Sequence, residues 1–313
     1  MICMKALNAR HCRYTAVAVW HFETENIFLR HLSLISVFSR NILSIVFFLT
    51  ITSSGYSQKL FRGMVMNEES SLPIAFASVG VLGKEIGTIS DSSGSFRVSL
   101  PTNIKENDTI LITSVGFDNF KISVKEALMK KMFQLHPVEG MLPGVLIHNF
   151  KHQSAAGSDT ANYSYYRGWY EYRTGGEIGK IMKVLHKQYK LNKVAFQVDS
   201  KCDTCWLRLR VRKIVAFEPA DDLLTQSVIL PVTRHSPNDG LLEFDVSDLG
   251  IILKDKKIYI GFEVINCKNT DNSLLSLCFI GAEYGDHYYR KYPTVSWYNE
   301  ESYGLYLKMF FDY

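Results

Sequence analysis

The chain has 313 residues, of which 47% are hydrophobic and 21% charged, a length and composition that suit two packed domains. Its formal net charge is +4, and setting residues 1–57 aside leaves 30 basic and 29 acidic residues. A nearly neutral body has no electrostatic footprint for nucleic acid, so we expect no nucleic-acid partner.

The first predicted element is a secretory signal segment, NILSIVFFLTITSSGYS, at residues 41–57. It follows Arg40 and holds an apolar run, residues 42–51, ahead of small residues, the order typical of a secretory signal. The run is too short to span a bilayer comfortably, and a buried helix or strand is its alternative interpretation. We expect cleavage after Ser57 and export to the periplasm, the outer-membrane surface or the extracellular space. Residues 1–39 are interpreted as an extension from a start codon assigned too far upstream.

The first half after the signal is a series of short apolar runs broken by Gly, Pro, Asn and Asp. Runs of this length and spacing are typical of an all-β sandwich or barrel. Residues 125–135, KEALMKKMFQL, fit either a helical turn or another edge strand. The other predicted strands are residues 61–66, 74–82, 86–90, 95–100, 108–117 and 119–125.

The second half also has β character, and a stretch rich in Pro, Gly and Ser precedes it. That stretch predicts a linker at 137–162, between a first domain at 58–136 and a second at 163–313. No amphipathic helix of useful length is evident, so we expect an all-β fold throughout. The predicted strands of the second half are residues 193–200, 205–217, 227–232, 241–247, 257–265, 273–282 and 303–311.

Four blocks of the first half occur in a fixed order. A G-x-V strand opening at 63–65 is followed by LPIAFASV at 72–79, GTISDSSGSF at 87–96 and DTILITSVGF at 108–117. Together they resemble the carboxypeptidase-like regulatory domain of many exported proteins of the Bacteroidetes. The resemblance implies a transthyretin-like seven-stranded β-sandwich without catalysis, because this module is an accessory domain in the enzymes that gave it its name. The second half, through segments such as GGEIGK at 175–180, KVAFQVDS at 193–200, DLLTQSVIL at 222–230 and KIYIGFEVI at 257–265, is similar to the β-rich tail that often follows the domain. This similarity implies a second β-sandwich of jelly-roll form.

The DSSG sequence within the third block has the look of a calcium or phosphate loop. Counted from Asp91, the third, fifth and twelfth positions are Ser93, Ser95 and Thr102, which leaves too few carboxylates for an EF-hand. A phosphate loop needs a helix after it, whereas a strand is predicted here. We therefore interpret the sequence as a hairpin turn.

His136 and Glu139 have the H-x-x-E spacing of zinc carboxypeptidases. A site of that kind needs a third ligand and a general base within an α/β core. Pro137 interrupts the segment and no α/β pattern surrounds it, so we interpret it as an exposed loop.

Four cysteines follow the signal segment, and their pairing is left open because four cysteines allow three connectivities. Cys202, Cys205, Cys267 and Cys278 are enough for a four-cysteine zinc site, although ten residues separate the last two. A redox C-x-x-C motif needs a βαβ context that this pattern lacks. We expect structural disulfides or buried thiols.

Two segments are candidate binding surfaces. Arg208, Arg210 and Arg212 alternate with aliphatic residues and so share one strand face, for which we expect a solvated outer face, with an anion- or glycan-binding surface as the alternative. Residues 160–173, TANYSYYRGWYEYR, are dense in aromatic side chains. Such side chains stack on sugars or nucleobases, or else fill a core or an interdomain contact.

No serine-hydrolase, zincin or Walker motif is present, so we expect no enzyme activity, no catalytic, cofactor-binding or metal-binding residues, and no cofactor. We expect an exported cell-envelope binding or structural module that recognises a glycan or an outer-membrane partner and is peripheral to the membrane at most. One alternative is a relative of the N-terminal part of TonB-dependent receptors, suggested by GMLPGVLIH at 140–148. The other is a metallopeptidase or glycosidase, or an accessory to one, with Glu171, Glu177 and Glu263 as candidate carboxylates.

Overall fold

The computed structural model describes most of the chain after the predicted signal segment, which itself lies outside the described residues. Everything described belongs to one compact unit, Ser57–Tyr313. Across these ranges, no helix has the length and apolar character needed to cross a membrane. The described residues are 58–138, 150–170, 174–236, 240–268 and 275–313.

Seven strands in two sheets form the first domain, which confirms the predicted seven-stranded β-sandwich. The strands are β1 (Lys59–Asn67), β2 (Ser78–Val81), β3 (Gly87–Ile89), β4 (Ser95–Leu100), β5 (Thr109–Thr113), β6 (Phe120–Ser123) and β7 (Met132–Leu135). One sheet has the order β4-β1-β7 and the other β3-β2-β5-β6. Alternate residues of β4 are buried, as the sequence pattern predicts for a half-buried strand.

Three phenylalanine rings pack together in the core of this domain. Phe61 meets Phe96 and Phe133 edge-on, with ring centroids 5.0 and 5.6 Å apart. Edge-to-face pairs of this kind add stability beyond the buried area alone.

The segment left open between helix and strand contains both. Helix α1 (Val124–Met129) begins at a capping box, in which the Ser123 hydroxyl accepts from the backbone N–H of Glu126 and the Glu126 carboxylate accepts from the backbone N–H of Ser123. Strand β7 follows and pairs in parallel with β1.

The DSSG sequence forms a tight turn, but the prediction of a hairpin is wrong. The Asp91 carboxylate accepts from the backbone N–H groups of Ser93 and Ser95 at 2.8 and 3.0 Å, and Gly94 has a φ of +76°. The turn connects β3 to β4, which belong to different sheets, so the chain crosses the sandwich here. Local turn chemistry is the same in both cases, which is why the sequence could not separate them.

Two larger sheets form the second domain, so this half is all-β as predicted; its jelly-roll connectivity stays a prediction. The seven-stranded sheet has the order β13-β12-β17-β10-β19-β20, with β14 beside β12. The eight-stranded sheet has the order β21-β18-β11-β22-β8, with β15 and β16 on β11 and β9 on β18. The strands are β8 (Gln153–Gly157), β9 (Asn162–Tyr170), β10 (Glu177–Lys183), β11 (Tyr189–Ser200), β12 (Thr204–Val215), β13 (Glu218–Asp222), β14 (Ile229–Val232), β15 (Leu241–Asp245), β16 (Ile252–Leu253), β17 (Lys257–Lys268), β18 (Leu275–Ala282), β19 (His287–Arg290), β20 (Tyr298–Glu300), β21 (Gly304–Leu305) and β22 (Leu307–Asp312).

The predicted linker at 137–162 is described only in part. Residues 139–149, which include Glu139 and the 140–148 segment, lie outside the described residues. Strand β8 lies within the predicted linker and pairs with β22 of the eight-stranded sheet. The domain boundaries therefore stay a prediction.

Candidate functional site

A row of charged side chains crosses the seven-stranded sheet. Arg208 of β12 lies opposite Glu263 of β17, Glu263 lies opposite Glu177 of β10, and Glu177 lies opposite Arg290 of β19. Residues that are directly opposite in neighbouring strands project from the same face of a sheet. The sheet register thus brings together four charges that are far apart in the sequence. We call these four residues, with Arg210 and Arg212, the arginine row.

Glu263 is the centre of one half of the arginine row. Its carboxylate accepts from the Nε atoms of Arg208 and Arg210, each at 2.9 Å, and from the Ser78 hydroxyl at 2.7 Å. A second nitrogen of Arg210 also donates to it, and another donates to Asp222 at 3.0 Å. Charge-assisted bonds of this kind satisfy a buried carboxylate.

Glu177 is the centre of the other half. Arg212 donates to its two carboxylate oxygens from Nε and Nη2, at 2.8 and 2.9 Å, and Arg290 donates at 2.7 Å. The Arg290 guanidinium also lies 4.4 Å from the centre of the Trp297 ring. The two-pronged geometry is the one that arginine forms best with a carboxylate.

The predicted solvated outer face is wrong, because these arginines are buried and the first domain contacts the Arg208–Glu263 half of the row. Arg208, Arg210 and Arg212 are only 0%, 3% and 8% exposed. The Ser78 hydroxyl of the first domain donates to Glu263, and Arg208 donates to the backbone carbonyl of Phe76 at 2.8 Å. Alternation assigned these arginines to one face correctly, but alternation carries no information about what lies over that face.

Two glycines make room for the side chains next to the carboxylates. Gly179 of β10 and Gly261 of β17 lie opposite each other, and Arg210 lies opposite Gly261 on the other side. A Cβ atom on either glycine would collide with backbone atoms and with the buried Tyr259 ring. The arginine row therefore needs glycine at both positions.

The two glutamates of the arginine row stay ionised at neutral pH. Burial by itself raises the pKa of a carboxyl, but Arg208 and Arg210 outweigh burial and lower the pKa of Glu263 to about 2. Burial also raises the pKa of Glu177, but Arg212 and Arg290 outweigh burial, so the pKa of Glu177 is lowered as well. A glycosidase acid needs a raised pKa, so Glu177 and Glu263 do not fit that role. Glu171 lies outside the described residues.

We expect stability to fall steeply in acid because of Glu263. Its pKa is 4.5 ordinarily and about 2 in the folded chain, so its contribution is complete above pH 4.5 and is lost as the pH falls to about 2. The loss is about 3 kcal/mol. Urea unfolding at a series of pH values would show a flatter profile for Glu263→Gln than for the wild type, whereas parallel profiles would contradict the assignment.

The four cysteines within the described residues form one disulfide and two buried thiols, which confirms the expectation of structural disulfides or buried thiols. Cys205 of β12 and Cys267 of β17 lie opposite each other and are bonded, with a sequence separation of 62. Cys202 and Cys278 lie outside this disulfide and are buried, and burial raises the pKa of both thiols. Cys202 joins the disulfide in a group of sulfurs within 4.8 Å of one another. Cys278 is not part of that group, so the described residues do not assemble a four-cysteine site.

His136 lies on the surface, as expected of an exposed loop. Its Nδ1 is 3.1 Å from the carboxylate of Glu68, and both side chains are about half exposed. Glu139, the other half of the zinc-like spacing, is outside the described residues.

Part of the aromatic segment 160–173 serves packing. The Tyr165 ring stacks on that of Tyr303 with centroids 5.3 Å apart, and the Arg167 guanidinium lies 3.6 Å from the centre of the Tyr289 ring. Trp169 is buried. These contacts tie β9 to the last strands of the domain. Residues 171–173 lie outside the described residues.

Two other tyrosines of the segment line a cleft of about 710 Å³. Tyr163 and Tyr166 are 62% and 57% exposed, although the Tyr163 hydroxyl accepts from Gln197. Their segment contains a bulge: Tyr166 lies opposite Ile280 of β18, whereas Asn162 lies opposite the next residue, Gly281. Three residues of β9, Tyr163 among them, therefore form the bulge, and Tyr166 lies next to it.

Charged groups complete this surface, which we call the tyrosine cleft. Asp199 and Lys201 form an ion pair at 2.9 Å at the end of β11, and Arg234 on the facing loop is held by Asp203 at 2.6 Å. Ile280 and Cys278 of β18 also line the cleft. The sequence pointed to this segment through its aromatic density; the charged partners carried no signal, because they come from distant strands.

Comparison with known proteins agrees with the first-half resemblance. The family described as CarboxypepD_reg-like domain matches residues 61–147, so this part of the chain is a carboxypeptidase-like regulatory domain. That domain fits a binding or structural module without catalysis. No curated protein sequence matches the chain.

Among solved structures, the chain is similar to the cysteine protease and lectin-like domains of Cwp84, a surface layer associated protein of Clostridium difficile. The two are 11% identical with a TM-score of 0.36, over 82% of this chain and 59% of that one. The chain thus spans less than two thirds of the matched structure, and a likeness at this level supports no inference about fold or function.

Proposed function

We propose that this chain, with its CarboxypepD_reg-like domain at residues 61–147, is an exported, non-enzymatic module of the cell envelope that binds a glycan in the tyrosine cleft. The observation that carries the proposal is the exposed pair Tyr163, in a strand bulge, and Tyr166, next to that bulge, beside two ion pairs. Bulges commonly redirect side chains toward binding sites.

The chemistry of the tyrosine cleft suits a sugar. The C–H faces of a pyranose ring pack on aromatic rings, and its hydroxyl groups bond to both donors and acceptors. Tyr163 and Tyr166 supply ring faces, Asp199 accepts hydrogen bonds, and Arg234 and Lys201 donate them. The cleft volume of about 710 Å³ lies within the range of small-ligand sites.

Two features support the other parts of the proposal. The Cys205–Cys267 disulfide suits an oxidising compartment, in agreement with the predicted signal segment. The buried carboxylates Glu177 and Glu263 each form ion pairs with arginines. These two candidate glycosidase carboxylates are therefore unsuited to act as a catalytic acid and base.

Replacing Tyr166 with alanine is expected to weaken glycan binding about tenfold, because one stacking face is lost. Tryptophan fluorescence and calorimetric titrations against a glycan panel would measure the dissociation constants. Tyr284→Ala is the matched control, because Tyr284 is also an exposed tyrosine, at 81%, but does not line the cleft.

The glycan assignment would be abandoned if no member of the panel gave a titration signal with the wild-type chain. Equal weakening by Tyr166→Ala and Tyr284→Ala would remove the cleft from the proposal. Crosslinking in whole envelopes covers the remaining case, since capture of an outer-membrane protein that depends on Tyr166 would assign the cleft to a protein partner.

A further inference from the structure

Three loops meet at one end of the seven-stranded sheet. Strands β10 and β12 both end there and β17 begins there, because Lys183 lies opposite Lys257 and Lys213 lies opposite Ile258. The loops are residues 183–187 after β10, the β12–β13 hairpin within 213–221, and residues 254–257 before β17. We call this end of the second domain the basic tip.

The hairpin in the basic tip presents an aromatic side chain on unfavourable backbone. Val215 pairs with Glu218, which leaves Ala216 and Phe217 as a two-residue turn. Both have positive φ, +49° and +69°, a conformation that hairpins normally assign to Asn and Gly. A bulky side chain at positive φ is an outlier, and such outliers concentrate where a function needs them.

Apolar side chains of the basic tip reach into solvent. Leu185 is 90% exposed, Phe217 81% and Val215 54%. They come from two loops, Leu185 from the loop after β10 and Val215 and Phe217 from the hairpin. Apolar side chains on projecting tips suit insertion between lipid headgroups.

Lysines surround these apolar side chains. The three loops hold six lysines against the three carboxylates Glu218, Asp221 and Asp255, a formal charge of +3 on a body that is otherwise nearly neutral. Asp221 is already paired with Lys213 at 2.6 Å. The lysines are Lys183, Lys187, Lys213, Lys254, Lys256 and Lys257.

We propose that the basic tip binds the surface of an anionic lipid bilayer, with Phe217 and Leu185 inserted at headgroup level and the lysines over the lipid charges. The positive charge of the basic tip favours an anionic bilayer as its binding partner, because each lysine near such a bilayer strengthens binding about fivefold. Lysine is depleted from the cores of protein–protein interfaces but enriched around the apolar residues of membrane-surface segments.

The fold gives this attachment a direction. Strand β12 begins at Thr204, next to the Cys205–Val232 pair from which the chain continues to Arg234 of the tyrosine cleft, and it ends at Val215 in the basic tip. Its 12 residues separate the two surfaces by about 40 Å. A bilayer at the tip therefore leaves the cleft facing away from the membrane. The proposal itself rests on the tip alone and does not need a glycan in the cleft.

The test is co-sedimentation of the full chain with vesicles of phosphatidylcholine alone or mixed with phosphatidylglycerol. We expect stronger binding to the mixed vesicles than to phosphatidylcholine alone, and a smaller difference as salt shortens the range of the lysine charges. Phe217→Gly should weaken binding at least about tenfold through loss of the inserted ring. The same change should not lower the thermal unfolding midpoint, since glycine suits the positive φ of the turn. Met129→Ser, at a 73% exposed site on the first domain, is the matched control.

The charge arm uses two pairs of lysines. Replacing Lys256 and Lys257 with glutamine should weaken binding about twentyfold, whereas replacing the exposed Lys125 and Lys130 of the first domain should leave it unchanged. Every variant keeps residues 1–57, so any lipid affinity of the apolar run there is common to all.

Insertion is read directly from Phe217→Trp, whose added fluorescence should be quenched by brominated lipid, with Met129→Trp unquenched as its control. The proposal is overturned if Phe217→Gly retains full vesicle binding. It is equally overturned if neutral and anionic vesicles bind alike, or if both tryptophan variants respond in the same way.

Discussion

Replacing Glu263 with alanine is expected to lower the free energy of unfolding by about 3–5 kcal/mol, because it leaves buried charges without their partner. Arg208 and Arg210 both donate to this carboxylate, and their side chains are 0% and 4% exposed. Neither guanidinium can recover water without separating the first domain from the sheet. Urea unfolding followed by far-UV circular dichroism would measure the loss.

The matched control is Glu243→Ala. Glu243 also forms an ion pair on a strand, with Lys193 at 3.0 Å, but both side chains are over a third exposed. Such a pair contributes less than about 1 kcal/mol, so the control should remain close to the wild type. Equal losses in the two variants would show that burial of the arginine row adds nothing.

The Glu263 variant should also reveal how the domains are coupled. Ser78 and the Phe76 carbonyl contact the arginine row from the first domain. The first domain has a hydrophobic core of its own, and Val115 is the buried residue of the first domain that belongs to the core of the second. Calorimetry of Glu263→Ala should therefore separate a single transition into two, and a single sharp transition would contradict a coupling role for the row.

The strands of this fold can be predicted from the sequence, but the residues that pack against their faces cannot. Alternation in residues 205–217 predicts a strand and assigns Arg208, Arg210 and Arg212 to one face, both correctly. Whether that face meets water depends on Ser78 and its neighbours, which lie more than 100 residues away in the chain. The glycines Gly179 and Gly261 become interpretable only when register places them beside arginines and Tyr259.

The tyrosine cleft shows the same division on a smaller scale. The aromatic density of residues 160–173 identifies the segment, yet its members divide between packing and exposure. Tyr163 and Tyr165 both lie in the bulge between the Tyr166–Ile280 and Asn162–Gly281 pairs, yet Tyr163 lines the cleft and Tyr165 stacks on Tyr303. A bulge depends on the pairing between β9 and β18, and a pattern within one strand does not contain it.

Removing the disulfide by replacing Cys205 and Cys267 with serine is expected to lower the free energy of unfolding by about 4 kcal/mol. The bond closes a loop across a separation of 62 residues, so its loss frees a large part of the unfolded chain. Chemical denaturation with and without reductant would measure the effect. The reductant should destabilise the wild type by a similar amount and leave the double variant unchanged, and Cys278→Ala should keep the wild-type response to reductant.

Because Cys202 lies next to the disulfide, the same measurement also distinguishes a disulfide from a metal site at these cysteines. Its sulfur lies within 4.8 Å of both bonded sulfurs, so the same three residues are close enough to hold a metal ion if the bond is reduced. A disulfide responds to reductant and not to a chelator, whereas zinc held by thiolates responds to a chelator. Destabilisation of the wild type by reductant alone would establish the bond as the stabilising element. Destabilisation by chelator alone would instead assign Cys202, Cys205 and Cys267 to a metal, and the strands β12 and β17 would then be joined by coordination.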